Sequence, residues 1–184
     1  MSIKKKVCLI IVIILLVASI VGIILKNTIL NPWVTNKDYL YEAAVNAIIA
    51  EEKEKSPDRN VSGFHTFASF HRFGVQKGSN SSEKIVYVWI NYQSYYVESD
   101  QIWKSTGGSH PYKVTFVNDE YVKYEIPNSG GNYQNEIRNL FPDKIEEDII
   151  NYNSPENLRN MSDDIKNQVN DYEEYEKIIN KEKE

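Results

Sequence analysis

The chain has 184 residues, 21 basic and 26 acidic side chains, one cysteine and a formal net charge of −5. A single cysteine excludes a disulfide-stapled scaffold. The acidic balance opposes nucleic acid and anionic lipid surfaces as partners, since both reward a basic face.

In chain order the first feature is an unbroken apolar run from Val7 to Leu25, bounded by Lys4, Lys5 and Lys6 on one side and Lys26 on the other. A helix crosses the hydrocarbon core of a bilayer with ~20 apolar residues, so residues 7–26 predict a transmembrane signal anchor held in the lipid bilayer. The excess of lysine before the run places residues 1–6 in the cytoplasm and the rest of the chain outside it. A cleaved signal peptide would have an apolar core of ~7–15 residues ending at small residues. Here Ala18 and Ser19 are followed by Ile20, Val21, Ile23, Ile24 and Leu25, so the uncleaved anchor is expected. Cys8 stands at the start of the run, whereas a lipoprotein cysteine would follow it. Setting aside the four anchor lysines leaves 17 basic against 26 acidic residues, a net of about −9 for the outer part. A chain rich in Lys, Asn, Ile and Tyr, without cysteine beyond the membrane, suggests a Gram-positive bacterium.

Residues 27–37, with Pro32 and Trp33, read as a linker. From Asp38 the residues Leu40, Ala43, Ala44, Ala47 and Ile48 recur at helical spacing, which predicts an amphipathic helix ending near Lys55 before Ser56 and Pro57. Two aromatic and β-branched segments follow, Phe64–Val75 and Lys84–Val97, separated by a turn at Gly78–Ser81, and predict a hairpin. In the second strand Ile85, Tyr87, Trp89 and Tyr95 share one face, and Val86, Val88, Ile90, Tyr92 and Tyr96 the other, so both faces are expected to be covered. A turn at Gly107–Pro111 leads into a third strand at Tyr112–Val117, and Asn118 and Asp119 turn it into a fourth at Tyr121–Ile126. Tyr133–Pro142 predicts a short helix stopped by proline, with a second over Asp143–Tyr152. Residues 154–184 are acidic and helical in pattern. Leu158, Ile165, Tyr172 and Ile179 are seven apart, with Met161, Gln168 and Tyr175 at the complementary positions. That seam either packs on the chain's own sheet or meets an envelope or membrane protein partner.

The expected fold is α+β: after the anchor, a helix on a four-stranded antiparallel sheet, as in cystatin-like and nuclear-transport-factor-like folds, over residues 38–153, with C-terminal helices. No chemical signature stands out. His65 and His71, six apart on one strand, lie ~20 Å from each other and cannot share a metal ion. Neither a metal nor a cofactor is expected. Ser109 beside His110 is read as part of the glycine turn rather than of a nucleophile elbow. Glu51 with Glu52, and Glu146 with Glu147, read as solvated helix faces. The aromatic load is the one positive feature. Tyr87, Trp89, Tyr95 and Trp103 are candidates to line a ligand pocket, against the reading that they are core.

Gly63, His65, the aromatic strand from Tyr87 to Tyr95, Gly108, Pro111, Val114, Thr115, Phe116, Tyr124, Pro127, Gly131, Tyr133, Ile137, Phe141 and Pro142 form a succession similar to one in Gram-positive bacteria. It resembles a small extracytoplasmic module of membrane-anchored proteins and lipoproteins, also appended to some membrane peptidases similar to the antibiotic-sensing receptors. The resemblance covers about residues 38–142. It implies a location and a fold more than a function, since no enzymatic activity or ligand is established for that module. The chain lacks the His-Glu-x-x-His of those peptidases, so no protease role carries over. The expected function is that of a non-enzymatic binding, sensory or interaction module of the envelope. The alternative is a small-molecule-binding or hydrolytic pocket protein, with a histidine beside a carboxylate.

Overall fold

The computed structural model describes residues 38–61, 63–98, 101–128, 130 and 132–181. The expected anchor at 7–26 and linker at 27–37 lie outside them. Among the described residues no helix is long and apolar enough to cross a membrane.

Among the described residues the architecture is α+β, with a four-stranded antiparallel sheet and four helices in the order α1 (Asp38–Lys55), β1 (His65–Lys77), β2 (Glu83–Glu98), β3 (Gln101–Val117), β4 (Glu120–Glu125), α2 (Tyr133–Leu140), α3 (Asp143–Tyr152) and α4 (Pro155–Lys181). The sheet is a simple meander, β1-β2-β3-β4. Asn80 closes the first turn by accepting from the backbone N–H groups of Ser82 and Glu83 at 3.0 and 2.9 Å. Asn118 and Asp119 both take positive φ, 54° and 65°, the geometry of a two-residue hairpin turn whose twist matches the flanking strands.

Alternation along β2 sends its side chains into two separate cores. On one face α1 lays Leu40, Tyr41, Ala44, Val45 and Ile48 over Val86, Val88, Ile90, Tyr92, Tyr112, Val114 and Phe116. On the other, Tyr87 and Trp89 are buried against Ile137, Phe141, Ile145, Ile149 and Met161 of the last three helices. Further along that face Tyr95 packs with Ile165 and Val169 of α4. The sheet is thus the middle of three layers.

One expectation is corrected. The TGGSHP segment is not a turn: β3 begins at Gln101 and runs through it, pairing Gly107 with Gln93 and Gly108 with Tyr92. The glycines answer a tertiary demand. A Cβ on Gly108 would stand 2.8 Å from the Tyr92 ring, and one on Gly107 would stand 2.9 Å from the Tyr92 carbonyl oxygen. Of the two readings left open for the α4 seam, its described part follows the first and packs on the chain's own sheet. Met161, Ile165 and Val169 are buried on the sheet, and the Tyr172 hydroxyl hydrogen-bonds His65. Gln168 Nε2 donates to the Ala68 carbonyl at 3.0 Å. That bond helps to blunt β1, an edge strand whose unpaired backbone would otherwise invite another chain.

Candidate functional site

Two groupings of polar side chains arise where helices meet the sheet. The first lies at the C-terminal end of α1. Glu52 accepts hydrogen bonds from Tyr92 at 2.8 Å, Tyr124 at 2.5 Å and Lys55 at 2.7 Å, and Lys55 also donates to the Tyr124 oxygen at 2.6 Å. The bare backbone of Gly108 is what lets the Tyr92 ring lie down toward the helix. Burial pushes the Glu52 carboxyl up, but the bonds from Lys55, Tyr124 and Tyr92 outweigh it and hold the group below the ordinary carboxylate range. Burial pushes Tyr92 and Tyr112 upward, and the Glu52 charge adds to this. Burial lowers the nearby His110 against the opposing pull of Glu52. Glu52 is therefore no solvated helix residue. It is an ionised acceptor with three donors, and this arrangement locks α1 to β2 and β4.

The second grouping is an open cleft of about 380 Å³ beside β1, lined by His71, Arg72, Phe73, Asp148, Asn151, Tyr152 and Asn157. Its floor is aromatic. The His71 ring lies flat on Tyr152, with centroids 3.9 Å apart and planes 14° from parallel, and Phe73 stands edge-on to both. Buried Trp89 backs Tyr152 at 5.8 Å. The local sequence explains the assembly. A register shift between Arg72 and Gly74 interrupts β1 just past His71, and such bulges re-aim side chains at strand edges. The short α3–α4 connection turns back sharply, with Ser154 Oγ accepting from the Asn157 N–H at 3.3 Å and the Asn157 side-chain amide donating to the Tyr152 carbonyl at 3.0 Å. Asp148 and Asn151 stand exposed on the rim. Burial holds the His71 imidazole below its usual range, with Asp148 pulling the other way. The Arg72 guanidinium is engaged elsewhere, by Asp38 at 2.6 Å and over the Tyr41 ring.

The aromatic candidates from the sequence do not form one pocket. Tyr87, Trp89 and Tyr95 are buried beneath α2, α3 and α4, and Tyr87 donates to Gln76 at 2.9 Å. Trp103 pairs with Tyr96 on the far part of the β2–β3 ribbon and is 47% exposed, away from the other three. Of the seam residues, Leu158, Ile165 and Tyr172 face the chain's own sheet, and the Ile179 side chain lies outside the described residues. Ser109 and His110 point to opposite faces of β3. Ser109 Oγ accepts from the Trp89 indole at 2.9 Å on the α2–α4 side, while His110 stands near Glu52 beneath α1. They form no nucleophile–base pair. Among the described residues no cluster of three or more His, Cys, Asp or Glu side chains is placed to hold a metal ion.

Sequence reasoning named His71 but not its cleft. Asp148, Asn151 and Asn157 lie on helices that only the tertiary fold brings to β1, and none carries a motif. Compared with protein-family models, curated proteins and solved structures, the chain gives no match.

Proposed function

We propose that the chain is a single-pass, membrane-anchored, extracytoplasmic binding module of a bacterial envelope, and that it holds its ligand in the cleft beside β1. The observation that carries this reading is the lining of the cleft. It offers an imidazole, a guanidinium, a carboxylate and two amides over an aromatic floor, and among the described residues that line it no serine, threonine, cysteine or lysine stands beside the imidazole to be activated as a nucleophile. It is also open, whereas catalytic sites usually gain by excluding water. The apolar run at Val7–Leu25 supports the anchor, and the resemblance to an extracytoplasmic Gram-positive module supports the location. A helix followed by a four-strand meander favours the cystatin-like arrangement over the nuclear-transport-factor-like one.

A hydrolytic role keeps one point in its favour: His71 and Asp148 line the same cleft, and burial biases the imidazole toward the neutral form that a general base needs. Two experiments on the full chain in its native membranes test the binding reading. A photo-reactive side chain at Asn151 should form an adduct that the same group at exposed Val122 on β4 does not. No adduct at Asn151 would remove the support for the cleft as a binding site. A cysteine at the same position should react with a membrane-impermeant maleimide in intact cells, and reaction only after lysis would reverse the assigned orientation.

A further inference from the structure

The chemistry of the cleft beside β1 narrows what it holds; the inference rests on the binding reading above. The volume, about 380 Å³, sits near the lower end of the ~300–1,000 Å³ usual for small-molecule sites and suits one ring rather than an extended polymer. Anions are disfavoured. The cationic head of Arg72 is turned to Asp38 and Tyr41, His71 is held toward its neutral form, and Asp148 contributes a negative charge. A wholly apolar ligand would leave the rim groups without partners, at a cost.

What remains is complementary to a polyhydroxylated ring. A carboxylate and an amide each offer paired sites that match neighbouring hydroxyls. Asp148 and Asn151 occupy the rim. The Asn157 nitrogen is engaged by the Tyr152 carbonyl, which leaves its oxygen as an acceptor. His71 lies flat on Tyr152, so the pair presents one open ring face, that of exposed His71, with Phe73 standing nearly perpendicular to it, as the surface for the C–H face of a sugar.

We propose that this cleft is a binding site for a neutral sugar ring, which rests on the His71 ring, itself backed by Tyr152, and is hydrogen-bonded at its hydroxyls by Asp148 and Asn151. The sugar could be free or the headgroup of a glycolipid.

The test uses the full chain in nanodiscs. Maltose, lactose and chitobiose are titrated by calorimetry, and in a parallel arm the chain is mixed with vesicles carrying glucosyl or galactosyl diacylglycerol. At least one sugar should bind, and Asp148→Ala and Asn151→Ala should each weaken it about tenfold, the loss expected for one or two hydrogen bonds. Both positions are exposed, so the variants should melt with the parent, and a conservative Asp148→Asn should recover part of the affinity. Binding in the vesicle arm alone would assign the glycolipid source. Silence of all probes at roughly millimolar concentration, or binding indifferent to both alanine variants, would overturn the sugar site. An adduct at Asn151 in native membranes together with silent sugars would leave the binding module standing and discard the sugar, whereas failure of both would discard the two together.

Discussion

Glu52 shows how a single residue changes meaning between sequence and fold. Next to Glu51 on a helix, it reads as solvated charge. In the structure it takes donors from α1, β2 and β4 at once, from Lys55, Tyr92 and Tyr124. Replacing it by glutamine removes the charge that makes these bonds strong and sets an amide N–H against donors. Glu52→Gln should cost roughly 1.5–3 kcal/mol at neutral pH, the range for hydrogen bonds to a charged group, as read from urea unfolding. The pH dependence follows from the direction of the shift. A carboxyl held below its ordinary value contributes stability that is complete above the unfolded pKa of ~4.3 and is lost as pH falls through the folded value. The gap between parent and Glu52→Gln should therefore be widest at neutral pH and close in acid. A gap that stays constant down to the acid limit would mean that the charge is not what matters.

At the scale of elements, α4 decides whether the acidic C-terminal segment is an appendage or part of the core. Met161, Ile165 and Val169 are each under a tenth exposed and cover Trp89 and Tyr95. At ~1.5–3 kcal/mol for each fully buried side chain, their loss approaches the whole stability of an ordinary domain, about 5–15 kcal/mol. Ile165→Ala should cost about 2–5 kcal/mol. A chain ending at Asn153 should lose its cooperative thermal transition by circular dichroism. If that truncated chain melts like the parent, α4 is dispensable to the fold and its seam is available to a partner. Elements whose signals are local were readable beforehand. The α1 helix opens at Asp38 and stops before Pro57, and the Asn118–Asp119 turn follows from two residues that tolerate positive φ. The start of β3 was not readable, because Gly107 and Gly108 make room for Tyr92 and Gln93, partners across the sheet. Alternation along β2 already implied that both faces are covered, and they are, with Tyr87, Trp89 and Tyr95 in the core. It could not show which helices close over each face, nor that a cleft would form from residues distant in sequence.

For the molecule as a whole, the sheet between two helical layers packs phenols on both of its faces, and this should set the alkaline limit of stability. Tyr41, Tyr87, Tyr92, Tyr95, Tyr112, Tyr121, Tyr124, Tyr133 and Tyr152 are all pushed above the ordinary tyrosine value, in each case first by burial, with Tyr87 at about 12. Lys55 and Lys84 shift the same way, through their bonds to Glu52 and Asp119. A group whose folded pKa is raised contributes stability that is complete below its unfolded value, here ~10 for tyrosine, and lost as pH rises through the folded value. The unfolded chain releases these protons first, so several of them together make unfolding steep in pH. These phenols divide between the two sides of the sheet, Tyr92 and Tyr112 under α1 and Tyr87 and Tyr95 under α2–α4. Neither layer should therefore yield alone. Tyrosinate absorbance near 295 nm and helical ellipticity at 222 nm, followed together from neutral pH upward, should show the buried phenols ionising together with the loss of ellipticity, in a transition above pH ~10 that is steeper than a one-proton curve. A shallow absorbance titration centred near 10, with the ellipticity unchanged, would mean that water reaches these rings in the folded chain and that the helices do not close the two faces of the sheet.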